Sequence, residues 1–310
     1  MKNRIVDLIK KVVGTQVVLE TIEQSKRDIL FENRKNQMID YILHDSEQGI
    51  TDYKYTDHEI IVSLTSYEKR IHDVAFAIES IMQQSMKPNR IILWLDDGFK
   101  NKKLPESLIK QQKRGLEILY CTDIGSYKKL IPTLERFPND AIITIDDDAI
   151  YDYDLLERFI LSYLEDPSFI YCARMRRMIF SDDGVLLPYN RWQRLSNDIC
   201  PSYFNFATGV GGVMYPPHSL ADEVMNKDIY MQICRTADDV WFKAMSMLKG
   251  TKVMKVSTRN PKGDDYFLND ALQNDALYQK NSFGEMLNDK QIRDVFTRYN
   301  LFSLLKDDTA

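Results

Sequence analysis

Between Glu59 and Ala173 the chain alternates two hydrophobic rhythms. The runs EIIVSLTS, RIILWL, LEILYC, AIITI and FIYCA are short and almost wholly apolar, which suits strands covered on both faces. Between them, apolar residues recur at helical spacing: Val74, Ile78, Ile81 and Met82, then Leu130, Ile131, Leu134 and Phe137, then Leu155, Phe159, Ile160 and Tyr163. Strand and helix in regular alternation predict an α/β fold with a mainly parallel, mixed sheet flanked by helices. The pattern places this domain over 59–300, and LNDKQIRDVFTRY reads as its final helix.

Residues 1–50 follow another pattern. Ile5, Leu8, Ile9, Val12 and Val13 give one apolar helical face, flanked by Lys2, Arg4, Lys10 and Lys11. This N-terminal helical extension is expected to lie on an anionic membrane surface, pair with another copy, or pack on its own domain, the last two being favoured. HDSEQGITDYKYTDHE loses the periodicity and reads as a polar connector.

Composition narrows the function. With 44% hydrophobic residues in 310, the chain can bury a sizeable core. Its 41 basic and 46 acidic residues leave a net charge of -5, without the basic surplus of a nucleic-acid binder, so no nucleic-acid partner is expected. No apolar run reaches the roughly 20 residues that span a bilayer, and MKNRIVDLIKKVV has no signal-peptide pattern, so a cytoplasmic location is expected, at most peripheral to the inner membrane face. Cys121, Cys172, Cys200 and Cys234 form no CxxC pair and are expected to be reduced. Of the histidines, His218 comes nearest to a ligand position, but an exposed loop residue is the simpler reading.

The polar chemistry gathers at strand ends, where ligands of open α/β sheets bind. Thr65, Ser66 and Tyr67 follow the first strand, Asp96, Asp97 and Gly98 the second, and Asp123 the third. Asp146, Asp147 and Asp148 follow the fourth. Three crowded carboxylates stay ionised only if solvated or neutralised, and a hard divalent cation, Mg²⁺ or Mn²⁺, suits them, with Asp146 and Asp148 as holders. After Gly125, Lys128 and Lys129 stand near a helix start, where charge and dipole attract phosphate, although Pro132 leaves that start open. Asp238 and Asp239 precede the helical VWFKAMSML and read equally as a catalytic base or as an N-cap. Gly209, Gly211 and Gly212 permit close approach of a ligand or mark a tight bend. Trp192, Arg174, Arg176 and Arg177 read first as structural or solvated residues, the other reading being a ring that stacks on a sugar and guanidinium groups that meet an anionic ligand or a phosphate. Neither GxGxxG after the first strand nor GxxxxGK[ST] is present, so a dinucleotide fold and a P-loop are unsupported.

In their order, VSLTSYEKRI, FAIESIMQQSMKPNRIILWLDD, TDIGSYKKLIPTL, TIDDDAIYD, GVGGVMYPP and TADDVW resemble bacterial nucleotide-sugar glycosyltransferases of the GT-A fold, similar to the family-2 group, over about residues 59 to 300. The resemblance implies a metal-dependent, inverting transferase that moves a sugar from a nucleotide-diphosphate donor, a UDP-sugar being favoured, to a glycan or lipid-linked acceptor. Capsule or other surface-polysaccharide assembly is the implied pathway. TIDDDAIYD matches the DxD metal motif, with Asp148 the direct ligand, Asp146 on the ribose or the metal's water shell and Asp147 between them. The resemblance further implies nucleoside contacts from Thr65, Tyr67 and, more weakly, Arg70, contacts from Asp96 and Asp123, and Lys129 beside Lys128 as the diphosphate contact. Asp239 becomes the base, with Asp238 the alternative, and Trp192, Gly211 and Gly212 fall on the acceptor side. NDALYQKNSFG becomes a loop that orders over bound nucleotide. Competing readings are a sugar nucleotidyltransferase, a catalytically inactive glycan-binding scaffold on the same fold and, furthest from the pattern, a glycoside hydrolase.

Overall fold

The computed structural model describes residues 2–194, 199–257, 266–268 and 287–307. Helix α1 (Lys2–His44) is followed by β1 (Ile60–Thr65), α2 (Val74–Met82), β2 (Arg90–Asp96), α3 (Glu106–Gln112), β3 (Leu116–Cys121), α4 (Ile131–Arg136) and β4 (Ala141–Thr144). Then come β5 (Ala149–Tyr151), α5 (Leu155–Glu165), β6 (Ile170–Cys172), β7 (Met175–Arg177), β8 (Gln193–Arg194), β9 (Asn205–Ala207) and β10 (Val213–Tyr215). The described chain continues with α6 (Lys227–Ile233), α7 (Asp238–Lys249), β11 (Val253–Lys255), β12 (Tyr266–Leu268), α8 (Leu287–Arg298) and α9 (Phe302–Asp307). The five apolar runs became β1, β2, β3, β4 and β6, and LNDKQIRDVFTRY contains the whole of α8, with the short α9 beyond it. NDALYQKNSFG lies outside the described residues.

Seven strands form the central sheet in the order β11-β6-β10-β4-β1-β2-β3. β1 pairs in parallel with β2 and β4, β2 with β3, and β6 with β11. Only β10, antiparallel to β4 and β6, runs the other way, so the sheet is mixed and mainly parallel. Side chains alternate across it. Ile60, Val62 and Leu64 join a core with α2 and α5 residues such as Ile78 and Phe159, whereas Ile142 joins the opposite cluster with Trp241 of α7 and Phe296 of α8. Burial on both faces explains why these strands are apolar throughout. Because β10 is antiparallel, its leading loop, Thr208–Gly212, arrives at the same sheet edge as the carboxyl ends of β1, β4 and β6.

The last third of α1 docks on the domain. Phe31, Met38 and Ile42, at helical spacing, enter the core beside α2. Arg34 donates to the Gln83 side chain at 2.9 Å, and Lys35 lies over the Phe76 ring. The connector is held as well, since Asn89 donates its side-chain amide to the carbonyls of Thr51 and Tyr53, and Gly49 donates its N–H to Arg114. The described side chains from Thr15 to Leu30 are exposed, among them Val18, Leu19, Ile22 and Ile29. The side chains of Ile5, Leu8, Ile9, Val12 and Val13 lie outside the described set. No helix among the described residues is long and apolar enough to cross a membrane.

Because Met38 is fully buried between α1 and the domain, Met38→Ala is expected to lower the unfolding free energy by about 2–5 kcal/mol, read by urea denaturation. An α1 that served only as a tether would leave the urea midpoint unmoved.

Candidate active site

A cleft of about 850 Å³ opens at the carboxyl edge of the sheet. Thr65, Tyr67, Arg70, Asp96, Asp123, Lys128, Lys129, Asp146, Asp147, Asp148, Asp238 and Asp239 all line it, so residues scattered over the chain converge on one space. Trp192, Gly211 and Gly212 do not.

The acidic turn after β4 is fastened from behind. Arg70 Nη1 donates to Asp147 Oδ1 at 2.8 Å and to Asp148 Oδ2 at 2.9 Å. Ser66 Oγ donates to Asp147 Oδ2 at 2.6 Å. Burial alone would lower the Arg70 pKa, but Asp147 and Asp148 more than reverse that and hold it above its usual range. Burial raises the Asp147 carboxyl above its usual range despite Arg70 and Ser66. Asp147 is therefore committed to the protein. Tyr151 completes the turn, accepting the Asp146 N–H at 2.9 Å and donating to the Val210 carbonyl at 3.1 Å, which ties the acidic turn to the glycine loop.

Lys129 joins the two acidic clusters. Its ammonium sits 3.0 Å from Asp146 Oδ1 and 3.0 Å from Asp238 Oδ2, on a side chain only 7% exposed. Burial acts to lower its pKa, yet Asp146, Asp238 and Asp239 hold it well above its ordinary value. The expected diphosphate lysine is thus an internal counter-ion here. Lys128 pairs with Asp123 at 2.7 Å, and Gly125 donates its N–H to the same carboxylate from a positive φ of 64°. Both lysines lie in a 3₁₀ turn, Gly125–Lys129, ahead of α4, and Pro132 fits inside the first turn of that helix.

Asp238 and Asp239 occupy the first turn of α7, where the helix dipole favours negative charge. The N-cap position is Ala237, so the capping alternative is not the one adopted. Asp239 instead accepts the Gly209 N–H at 3.1 Å. Burial and the neighbouring Asp238 push its carboxyl up to about 7, with Lys129 and the Gly209 N–H pulling the other way. A Cβ on Gly209 would stand 2.7 Å from Lys129 Nζ and 3.0 Å from Asp239 Oδ1, so the missing side chain is what lets this loop touch both.

Trp192 is only 2% exposed, packs at steep ring angles behind Tyr189 and Phe206, and donates its indole N–H to the Leu187 carbonyl. Tyr189 and Phe206 face the cleft in its place. Gly211 is packed against the Arg174 backbone and Gly212, at φ 88°, against Phe159, which makes both structural glycines. Thr65 donates its hydroxyl to the Trp94 carbonyl at 2.8 Å, and Asp96 accepts the Gly98 N–H, the ordinary turn role of an Asp before Gly. His218 is exposed and outside the cleft. Ser66, Tyr151 and Arg174 carry contacts that no local pattern announces.

The donor set suits a hard divalent cation. Seven aspartates and five basic residues line the cleft, every anionic donor is a carboxylate oxygen, and the Asp146 side chain keeps 29% of its surface exposed. No group of three or more His, Cys, Asp or Glu among the described residues converges as a complete metal cage would. A cation at Asp146 and Asp148 would therefore draw its remaining ligands from water and substrate.

The molecule is thus an α/β protein with an aspartate-rich cleft at the carboxyl edge of a mainly parallel sheet. No protein-family model and no curated protein sequence matches the chain. Among solved structures it is similar to the crystal structure of S. aureus TarS 1-349 in complex with UDP, at 11% identity and a TM-score of 0.41. The similarity covers 65% of this chain and 58% of that one.

Removing the ammonium that bridges the acidic clusters should leave buried carboxylates uncompensated. Lys129→Met is expected to cost about 3–5 kcal/mol of stability at pH 8. The deficit should shrink at pH 5, because Asp239, no longer held down by Lys129, protonates more readily. Chemical denaturation at the two pH values measures both effects.

Proposed function

We propose that the chain is a nucleotide-sugar glycosyltransferase. The observation that carries this reading is the meeting of two carboxylate clusters across one cleft, Asp146–Asp148 on the sheet and Asp238–Asp239 on α7, joined by Lys129. The motif order resembling the GT-A transferases supports the same assignment. Tyr67, Asp96 and Asp123, on the β1–β3 side, would receive the nucleoside. A divalent cation held by Asp146 and Asp148 would neutralise charge developing on the departing diphosphate.

Asp239 takes the role of base. Its fixed position beside Gly209 and its raised pKa suit a carboxylate that removes a proton from an attacking hydroxyl near neutral pH. Direct attack by that hydroxyl on the anomeric carbon gives single displacement and inversion. Asp238, paired to Lys129, orients the cluster. We assign the product to glycan or lipid-linked acceptor chemistry, with surface polysaccharide as the pathway. The ion pairs already made by the acidic turn also suit a binding scaffold without turnover, and turnover separates the two readings.

Calorimetry with nucleoside diphosphates, with Mn²⁺ and with chelator, tests the donor site. Cation-dependent binding of one nucleotide is expected, abolished in Asp148→Ala and preserved in Asp239→Asn, which loses transfer. Equal loss of donor affinity in both variants would refute the division of roles. Transfer should rise with pH through about 7 as Asp239 deprotonates, while nucleotide affinity should not follow that curve. A rate that falls over that range would remove Asp239 as the base.

A further inference from the structure

Arg174 follows β6 at the cleft edge. Its backbone is locked, because Thr208 donates its N–H to the Arg174 carbonyl at 3.1 Å and Gly211 packs directly on Arg174 N and Cβ. Its Nη1 donates to Thr208 Oγ1 at 2.8 Å, while its Nε is buried without a hydrogen-bond partner. Arg70, Lys128 and Lys129, also in the cleft wall, each pair with a carboxylate. Arg174 has no carboxylate partner among the described residues. A guanidinium held only by a neutral hydroxyl keeps its charge and a planar set of donors, the geometry that grips phosphate and carboxylate.

Position says which ligand this serves. In the sheet order, β10 and β4 separate β6 from β1, and three strand spacings put β6 about 14 Å from β1. Arg174 therefore lies across the acidic turn from the nucleoside end, and Thr208 precedes Gly209, whose N–H holds Asp239. Tyr189 and Phe206 supply apolar ring surface to the same cleft. We propose that Arg174 and Thr208 bind an anionic group, phosphate or carboxylate, carried by the acceptor beside the hydroxyl that Asp239 deprotonates. This rests on the glycosyltransferase reading of the cleft.

The test titrates inorganic phosphate and glucose 6-phosphate, with glucose as the neutral control, into the full chain. It is run with and without saturating UDP and Mg²⁺, for wild type, Arg174→Gln and Arg174→Lys. Both phosphorylated probes are expected to bind wild type in preference to glucose even when UDP is bound. Arg174→Gln should weaken them about tenfold, Arg174→Lys less, and UDP affinity should stay within about twofold in all three. Displacement of the probes by UDP, or a parallel loss of UDP affinity in Arg174→Gln, would hand the arginine to the donor diphosphate and overturn the proposal. Unchanged probe affinity in Arg174→Gln would overturn it too. Should UDP fail to bind wild type while phosphate still binds through Arg174, the anion site stands and the donor reading falls.

Discussion

One buried ammonium organises the cleft. Lys129 stands between Asp146, at the end of the sheet, and Asp238, at the start of α7, and its charge lets carboxylates from two distant parts of the chain share one small space. Taking such ions out of water is costly, and the arrangement holds only because each charge finds opposite partners at close range. Gly209 threads between Lys129 and Asp239 with no side chain of its own, so the geometry of Asp239 and that of the acidic turn are set together.

Arg70 repeats the device on the other flank. Its single nitrogen Nη1 holds both Asp147 and Asp148, and Ser66 takes the remaining oxygen of Asp147. The turn is thereby fixed before any ligand arrives, which is the condition under which electrostatic groups act most strongly on a reacting centre. Tyr151 links this turn to the glycine loop, so β4, β5 and the approach to β10 share one hydrogen-bonded brace. The arrangement concentrates rigidity in groups that face the cleft from its rear, leaving Asp146 the more open of the acidic side chains there.

The sheet was legible because β1, β2, β4 and β6 are buried on both faces and so advertise themselves as continuous apolar runs. The convergence of Thr65, Asp96, Asp123 and Asp146 was legible for a related reason, since parallel strands bring their carboxyl ends to one edge. What the sequence hid was pairing. Nothing near Lys129 says that it would turn inward to Asp238 rather than outward to a phosphate, and nothing near Trp192 says that Tyr189 and Phe206 would cover it. Short strands of two or three residues, such as β7, β8 and β9, leave too little pattern to read. Asp239 was singled out by resemblance, its place before a helix leaving the base and the N-cap equally open, and the Gly209 N–H that fixes it comes from a loop whose arrival depends on the reversed direction of β10.

The leading helix has a mechanical consequence. Its 43 residues extend about 65 Å as a helix, and among its described side chains those buried against the domain are Phe31, Met38 and Ile42. A flexible leader would let the cleft sample any distance from whatever its far end touches. A rod clamped at one end works as a spacer of set length, holding the cleft some tens of ångströms from that point of contact and limiting the orientations in which the two can meet.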